Sequence, residues 1–73
     1  MARPTTFGGK LHRARRRVGL TQAQLAQRLG CTRSYISHLE HDDYLPSRRR
    51  LFLLADALGV TWATVSRWLP DPP

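Results

Sequence analysis

The chain lacks several things that small proteins often rely on. It has a single cysteine, Cys31, in 73 residues. That excludes an internal disulfide framework and a zinc site built on cysteines within one chain. Acidic residues are scarce: five Asp and Glu stand against twelve Lys and Arg, for a formal charge of +7. Aromatics make up only 8%, and they are not interleaved as the base-stacking modules of RNA-binding proteins require. The longest apolar run is Leu51 to Ala55, far short of the roughly 20 residues of a membrane span. The opening Met-Ala-Arg-Pro-Thr-Thr has no apolar signal region. No phosphate loop, nucleophile–base pair or paired carboxylates stand in the sequence. His12, His38 and His41 form no ligand spacing with Cys31. The expectation is a protein that is not an enzyme and takes no cofactor, metal, membrane or small-molecule ligand.

What is present suffices for one small domain over residues 1–73, with an ordered core of about 7–69. Hydrophobic residues are 41% of the chain, too many for a disordered basic tail. A core of this size is only marginally stable, so self-association would help. The excess of positive charge makes an acidic polymer the first partner to consider. Met1 and the proline-rich end are read as natural ends.

Apolar residues recur at three and four, the helical period. Phe7, Leu11, Ala14 and Val18 form one stripe, interrupted early by Gly8 and Gly9 and stopped by Gly19. Thr21 and Gln24 make a capping box for a second helix with Leu25, Ala26 and Leu29 inside and Gly30 at its end. Thr32 caps a third, reaching about His41, with Ile36 and Leu39 as its apolar side. After a loop from Asp42 to Pro46, Ser47 caps a fourth helix with Leu51, Leu54, Ala55 and Leu58 buried. Thr61 caps a last one carrying Trp62, Val65, Trp68 and Leu69, which Pro70, Pro72 and Pro73 end.

Only Gly30-Cys31-Thr32 separates the second helix from the third. So short a connection forces a steep crossing, the geometry of a helix-turn-helix. Ala26 is small where the two helices meet. The third helix presents Arg33, Ser34, Ser37 and His38 opposite its apolar side, a polar face suited to the base edges of a major groove.

Thr21 to Gly30 followed by Thr32 to Glu40 resembles the helix-turn-helix of the Cro/repressor (XRE) family, and the resemblance runs on through Leu54-Ala55-Asp56-Ala57-Leu58-Gly59-Val60. It implies an all-α, five-helix, lambda-repressor-like domain with the helix-turn-helix at helices two and three. It also implies a sequence-specific regulator of transcription, binding double-stranded DNA as a homodimer on a palindrome, in the cytoplasm at the nucleoid. Arg33, Ser34 and His38 match the family's base-reading positions: Arg33 suits guanine, and His38 a guanine N7 or a thymine methyl. Gln22 matches a phosphate-binding position, with Thr32, Tyr35 and Ser37 flanking. Arg15 and Glu40 match a structural ion pair.

Two departures stand out. Asp42 replaces the usual glycine after helix three, and Asp42 and Asp43 put acids into a loop that is often basic. Arg48, Arg49 and Arg50 follow and can compensate.

Plainer readings accompany these. Arg13, Arg16 and Arg17 are phosphate contacts or a solvated face. His41 is a phosphate contact or a fraying helix end. Cys31 is a small half-buried hydrophobe in the turn. Leu53 with Phe52, Trp62 and Leu69 is a candidate dimer patch, or in part core. The sequence leaves no room for a sensor domain, as in Cro-like repressors or restriction–modification controllers. The alternative function is an antitoxin that uses its apolar patch on a toxin and also binds its operator.

Overall fold

Five hydroxyl side chains decide where the helices begin. The computed structural model describes residues 5–70. Among them are α1 (Phe7–Arg17), α2 (Gln22–Leu29), α3 (Arg33–Glu40), α4 (Arg48–Leu58) and α5 (Trp62–Ser66). Thr6, Thr21, Thr32, Ser47 and Thr61 each accept a hydrogen bond from the amide three residues on, at 3.0–3.2 Å. Thr21 has the full capping box, with its own amide donating to Gln24 Oε1 at 2.9 Å. Four of these caps are legible in the sequence; Thr6 is not, because two glycines follow it.

Three helices end alike. Gly19, Gly30 and Gly59 have positive φ. The next residue's amide returns to a carbonyl five positions back: Leu20 to Arg15, Cys31 to Ala26, Val60 to Ala55. This closure satisfies carbonyls that would otherwise be orphaned. The last helix is shorter than its apolar spacing suggests. After Ser66 the chain tightens into bonds from Trp68 to Val65 and Leu69 to Ser66, so Trp68 and Leu69 lie beyond α5. Pro72 and Pro73 lie outside the described residues.

The buried faces are the expected ones. Phe7 and Leu11 of α1, Leu25, Ala26 and Leu29 of α2, and Ile36 and Leu39 of α3 close over Leu51, Leu54, Ala55 and Leu58 of α4 and Val65 of α5. One stripe member departs: Val18 is 44% exposed. It is the residue after α1 ends, so it no longer follows the helical face. Trp68 extends the core by meeting Phe7 edge-on, ring centroids 6.2 Å apart. No helix among the described residues is long and apolar enough to cross a membrane.

The start of α1 packs directly on the end of α3. A Cβ on Gly8 would lie 2.5 Å from the Glu40 carbonyl oxygen and 2.6 Å from that of Leu39. Glycine is there to allow the approach, so the residue that weakens the helix locally is what lets it dock. Asp42 completes the joint. It takes the left-handed φ of 61° expected where glycine is missing. Its carboxylate turns onto α1, accepting from the Gly8 amide at 2.8 Å and the Thr6 hydroxyl at 2.7 Å. A negative group at the positive end of α1 is favourable. Asp42 therefore acts as a second cap from 34 residues away.

Candidate nucleic-acid interface

The third helix is held by a buried charge cluster. Glu40, only 2% exposed, accepts from Arg15 Nε at 2.6 Å and Arg15 Nη2 at 3.1 Å. Arg15 Nη1 donates to the Leu20 carbonyl at 2.8 Å. His12 Nδ1 lies 2.9 Å and Gln22 Nε2 3.1 Å from Glu40 Oε1. An ionised carboxylate only accepts, so the contact to Glu40 is a bond when His12 carries a proton on Nδ1; Arg15 Nη2 lies 3.2 Å from the same nitrogen. Burial pushes the Glu40 carboxyl up, but hydrogen bonds from Arg15, His12 and Gln22, aided by the Arg15 charge, outweigh it and hold the group below its ordinary value. The cluster ties α1, α2 and α3 into one orientation. The Arg15–Glu40 pair matches what the resemblance implies; His12 and Gln22 are further members that no spacing announces.

With Ile36 and Leu39 fully buried, the opposite side of α3 faces outward. Arg33, Ser34 and His38 are all exposed, as are Thr32 before them and His41 after. Tyr35 and Ser37 are half-buried on the flanks. Beside Arg33, a cleft of about 510 Å³ runs along the start of α2, lined by Arg16, Thr21, Gln22 and Ala23. A helix N-terminus between two guanidinium groups suits a phosphate. Gln22 keeps one amide hydrogen on Glu40, and Nε2 has a second to offer.

Other residues are placed differently from their sequence reading. Arg16 and Arg17 part company, because neighbours on a helix point about 100° apart. Arg17 lines a separate cleft with Lys10, Arg13, Val60 and Trp68, away from Arg33. Arg48 is exposed at the start of α4, while Arg50 lies over the Tyr35 ring, 4.4 Å from its centroid. His41 Nδ1 donates to the Ser37 carbonyl at 2.7 Å. Thr32 Oγ1 is occupied as a cap, leaving its hydroxyl hydrogen for an outside acceptor.

The two loop acids have internal partners. Asp42 faces α1, and Asp43 Oδ2 pairs with His38 Nδ1 at 2.7 Å. Each carboxylate thus has a hydrogen-bond partner within the protein. Tyr44 stacks on His38 at 5.4 Å and tilts against Tyr35 at 5.6 Å. Sequence reading missed this stack, since nothing in a helical period links the third helix to the loop after it.

The dimer candidates divide. Phe52 and Trp62 are exposed, at 62% and 38%, with ring centroids 6.0 Å apart. Leu53 and Leu69 are half-buried and pack on the core, so the open patch is narrower than expected. Cys31 is half-buried against the core, and burial raises its thiol pKa, with Arg50 opposing. Among the described residues no three His, Cys, Asp or Glu side chains group as a metal site would require.

A family model described as helix-turn-helix matches residues 11–68. The chain belongs to that helix-turn-helix family, of the Cro/repressor type. It is 40% identical over 55 residues to the immunity repressor protein of Bacillus phage phi105, covering 75% of this chain but 38% of the phage protein. Among solved structures it resembles the biofilm master regulator SinR in complex with DNA, at 26% identity and TM-score 0.77. That alignment covers 84% of this chain and 98% of the SinR chain. The restriction–modification controller protein C.AhdI of Aeromonas hydrophila is similar at 30% identity and TM-score 0.77, over 85% and 91% of the two chains. Family and fold are those of DNA-binding regulators, not of enzymes.

Proposed function

We propose that this chain is a sequence-specific regulator of transcription that reads double-stranded DNA in the cytoplasm with α3 in the major groove. The carrying observation is the outward row of Arg33, Ser34 and His38 beside the Arg16-lined cleft at the start of α2. Arg33 reaches the O6 and N7 of a guanine, a bidentate contact worth about 1–3 kcal/mol of discrimination. Ser34 and His38 read neighbouring bases. Arg16, Gln22 and the α2 amides hold one phosphate; Thr32, His41 and Arg48 are placed for others. These contacts fix position and carry no sequence information.

The functional unit is a symmetric homodimer on a palindrome, with half-sites one turn, roughly 34 Å, apart. Phe52 and Trp62 supply the open apolar surface for that contact. Fluorescence anisotropy with duplexes selected in vitro tests the reading. Selected duplexes should bind well above random ones, with the log–log salt slope near −0.9 per phosphate neutralised. Equal affinity for all sequences, unchanged in Arg33→Ala and Ser34→Ala, would refute specific readout. Sedimentation of the same samples tests the dimer.

A further inference from the structure

His38 is held by partners outside its own helix. Its Nδ1 is 2.7 Å from Asp43 Oδ2, and its ring stacks on Tyr44 with 30° between planes. The Asp43 amide also returns to the His38 carbonyl at 3.0 Å. Tyr44 leans on Tyr35, whose ring is covered by Arg50 of α4. The charged and titratable groups around the imidazole are therefore Asp43 and Tyr44 from the loop, Tyr35 from its own helix, and Arg50 beyond Tyr35.

A carboxylate accepts and cannot donate, so the bond to Asp43 requires the proton on Nδ1. In a neutral imidazole the other nitrogen is then a bare acceptor. In the major groove the hydrogen-bond donors are the amino groups, N4 of cytosine and N6 of adenine. Guanine N7 and O6 and thymine O4 only accept. A histidine held this way cannot donate to guanine unless it gains a second proton.

We propose that Asp43 is a positioning residue for readout: it fixes His38 in the Nδ1-protonated form, so that Nε2 selects a cytosine or adenine amino group. This rests on the DNA-binding reading above and deepens it. It also reverses the donor role that residue type alone suggests for His38. Asp43 touches no base; it acts through the ring it orients, as outer partners do for other histidine sites.

The test uses the full chain and two readouts. Nitrogen-15 histidine NMR at about pH 7.5 should show His38 protonated on Nδ1 alone, and Asp43→Ala should shift it toward the Nε2-protonated form. Anisotropy with duplexes varied one base pair at a time should locate the pair whose selectivity disappears in His38→Ala. There the wild type should favour C or A over G or T about three- to tenfold, the range of one hydrogen bond. Asp43→Ala should lose that preference while selectivity at the pairs read by Arg33 and Ser34 stays. Asp43→Glu should restore part of it.

A ring protonated on Nε2, or on both nitrogens, at that pH overturns the proposal. So does a guanine preference, a preference untouched by Asp43→Ala, or a His38→Ala variant that loses selectivity nowhere. If no duplex is bound selectively, the reading of function fails instead, and the NMR spectrum still decides the form of the ring.

Discussion

Replacing Glu40 by alanine should cost as much as truncating a buried leucine or isoleucine of α3. The carboxylate is 2% exposed and takes hydrogen bonds from three side chains. Its removal strands the Arg15 guanidinium, itself 8% exposed, with the Leu20 carbonyl and His12 Nδ1 as neutral partners and no counter-charge. His12 and Gln22 are half-buried and can turn to water, so the stranded cation dominates. Breaking a buried pair on one side costs about 3–5 kcal/mol. A domain of this length has roughly 4–11 kcal/mol in all, from the usual stability per residue. At about 4–8 °C per kcal/mol, Tm should fall by roughly 12–40 °C. Thermal and urea denaturation followed by circular dichroism measure it. Arg15→Met with Glu40→Leu should lose much less than either single change, since no charge is then buried. The pair still forfeits the donor to Leu20, so a deficit of about 1–2 kcal/mol should persist. A Glu40→Ala loss under about 0.5 kcal/mol, the range of ordinary surface changes, or strictly additive single and double variants, would refute the reasoning.

Glu40 titrates below its ordinary value of 4.5 when folded, so its contribution is complete above that pH and is lost as pH falls through the lowered folded value. Acid denaturation should therefore steepen below about pH 4.5, and less so in the Arg15→Met, Glu40→Leu variant. Gly8→Ala drives a Cβ into backbone carbonyls that no rotamer change relieves, and should cost about 1–3 kcal/mol or more in urea titration. Asp42→Ala loses the cap on α1 while keeping a side chain at positive φ; it should cost about 1–2 kcal/mol, and Asp42→Gly less, by the relief of φ. Arg16→Ala should weaken selected and random duplexes alike and reduce the salt slope by about 1, whereas Arg33→Ala should act on the selected duplex alone.

Faces, caps and stops belonged to the sequence. Leu25, Leu29, Ile36, Leu39, Leu51, Leu54 and Leu58 repeat with the helical period, and a helix buries whichever side its apolar residues share. Thr21, Thr32, Ser47 and Thr61 act on amides three residues away, and glycine after a helix acts on the next turn. Such interactions are complete within one stretch of chain. That also made the outward row Arg33, Ser34 and His38 legible, because burying Ile36 and Leu39 leaves it no other side.

Tertiary structure decided what joins residues far apart. Glu40 meets Arg15 across 25 residues and Asp42 meets Thr6 across 36; no period relates those positions. Gly8 reads as a weak helix residue until α3 lies 2.5 Å from where its Cβ would be. Arg16 and Arg17 look equivalent in line; the helix turns them about 100° apart, and the tertiary structure decides which cleft each one lines. Which nitrogen of His38 carries the proton depends on a loop that folds back five residues later. Composition can supply an imidazole; only the chain's return past it sets what that ring offers to a partner.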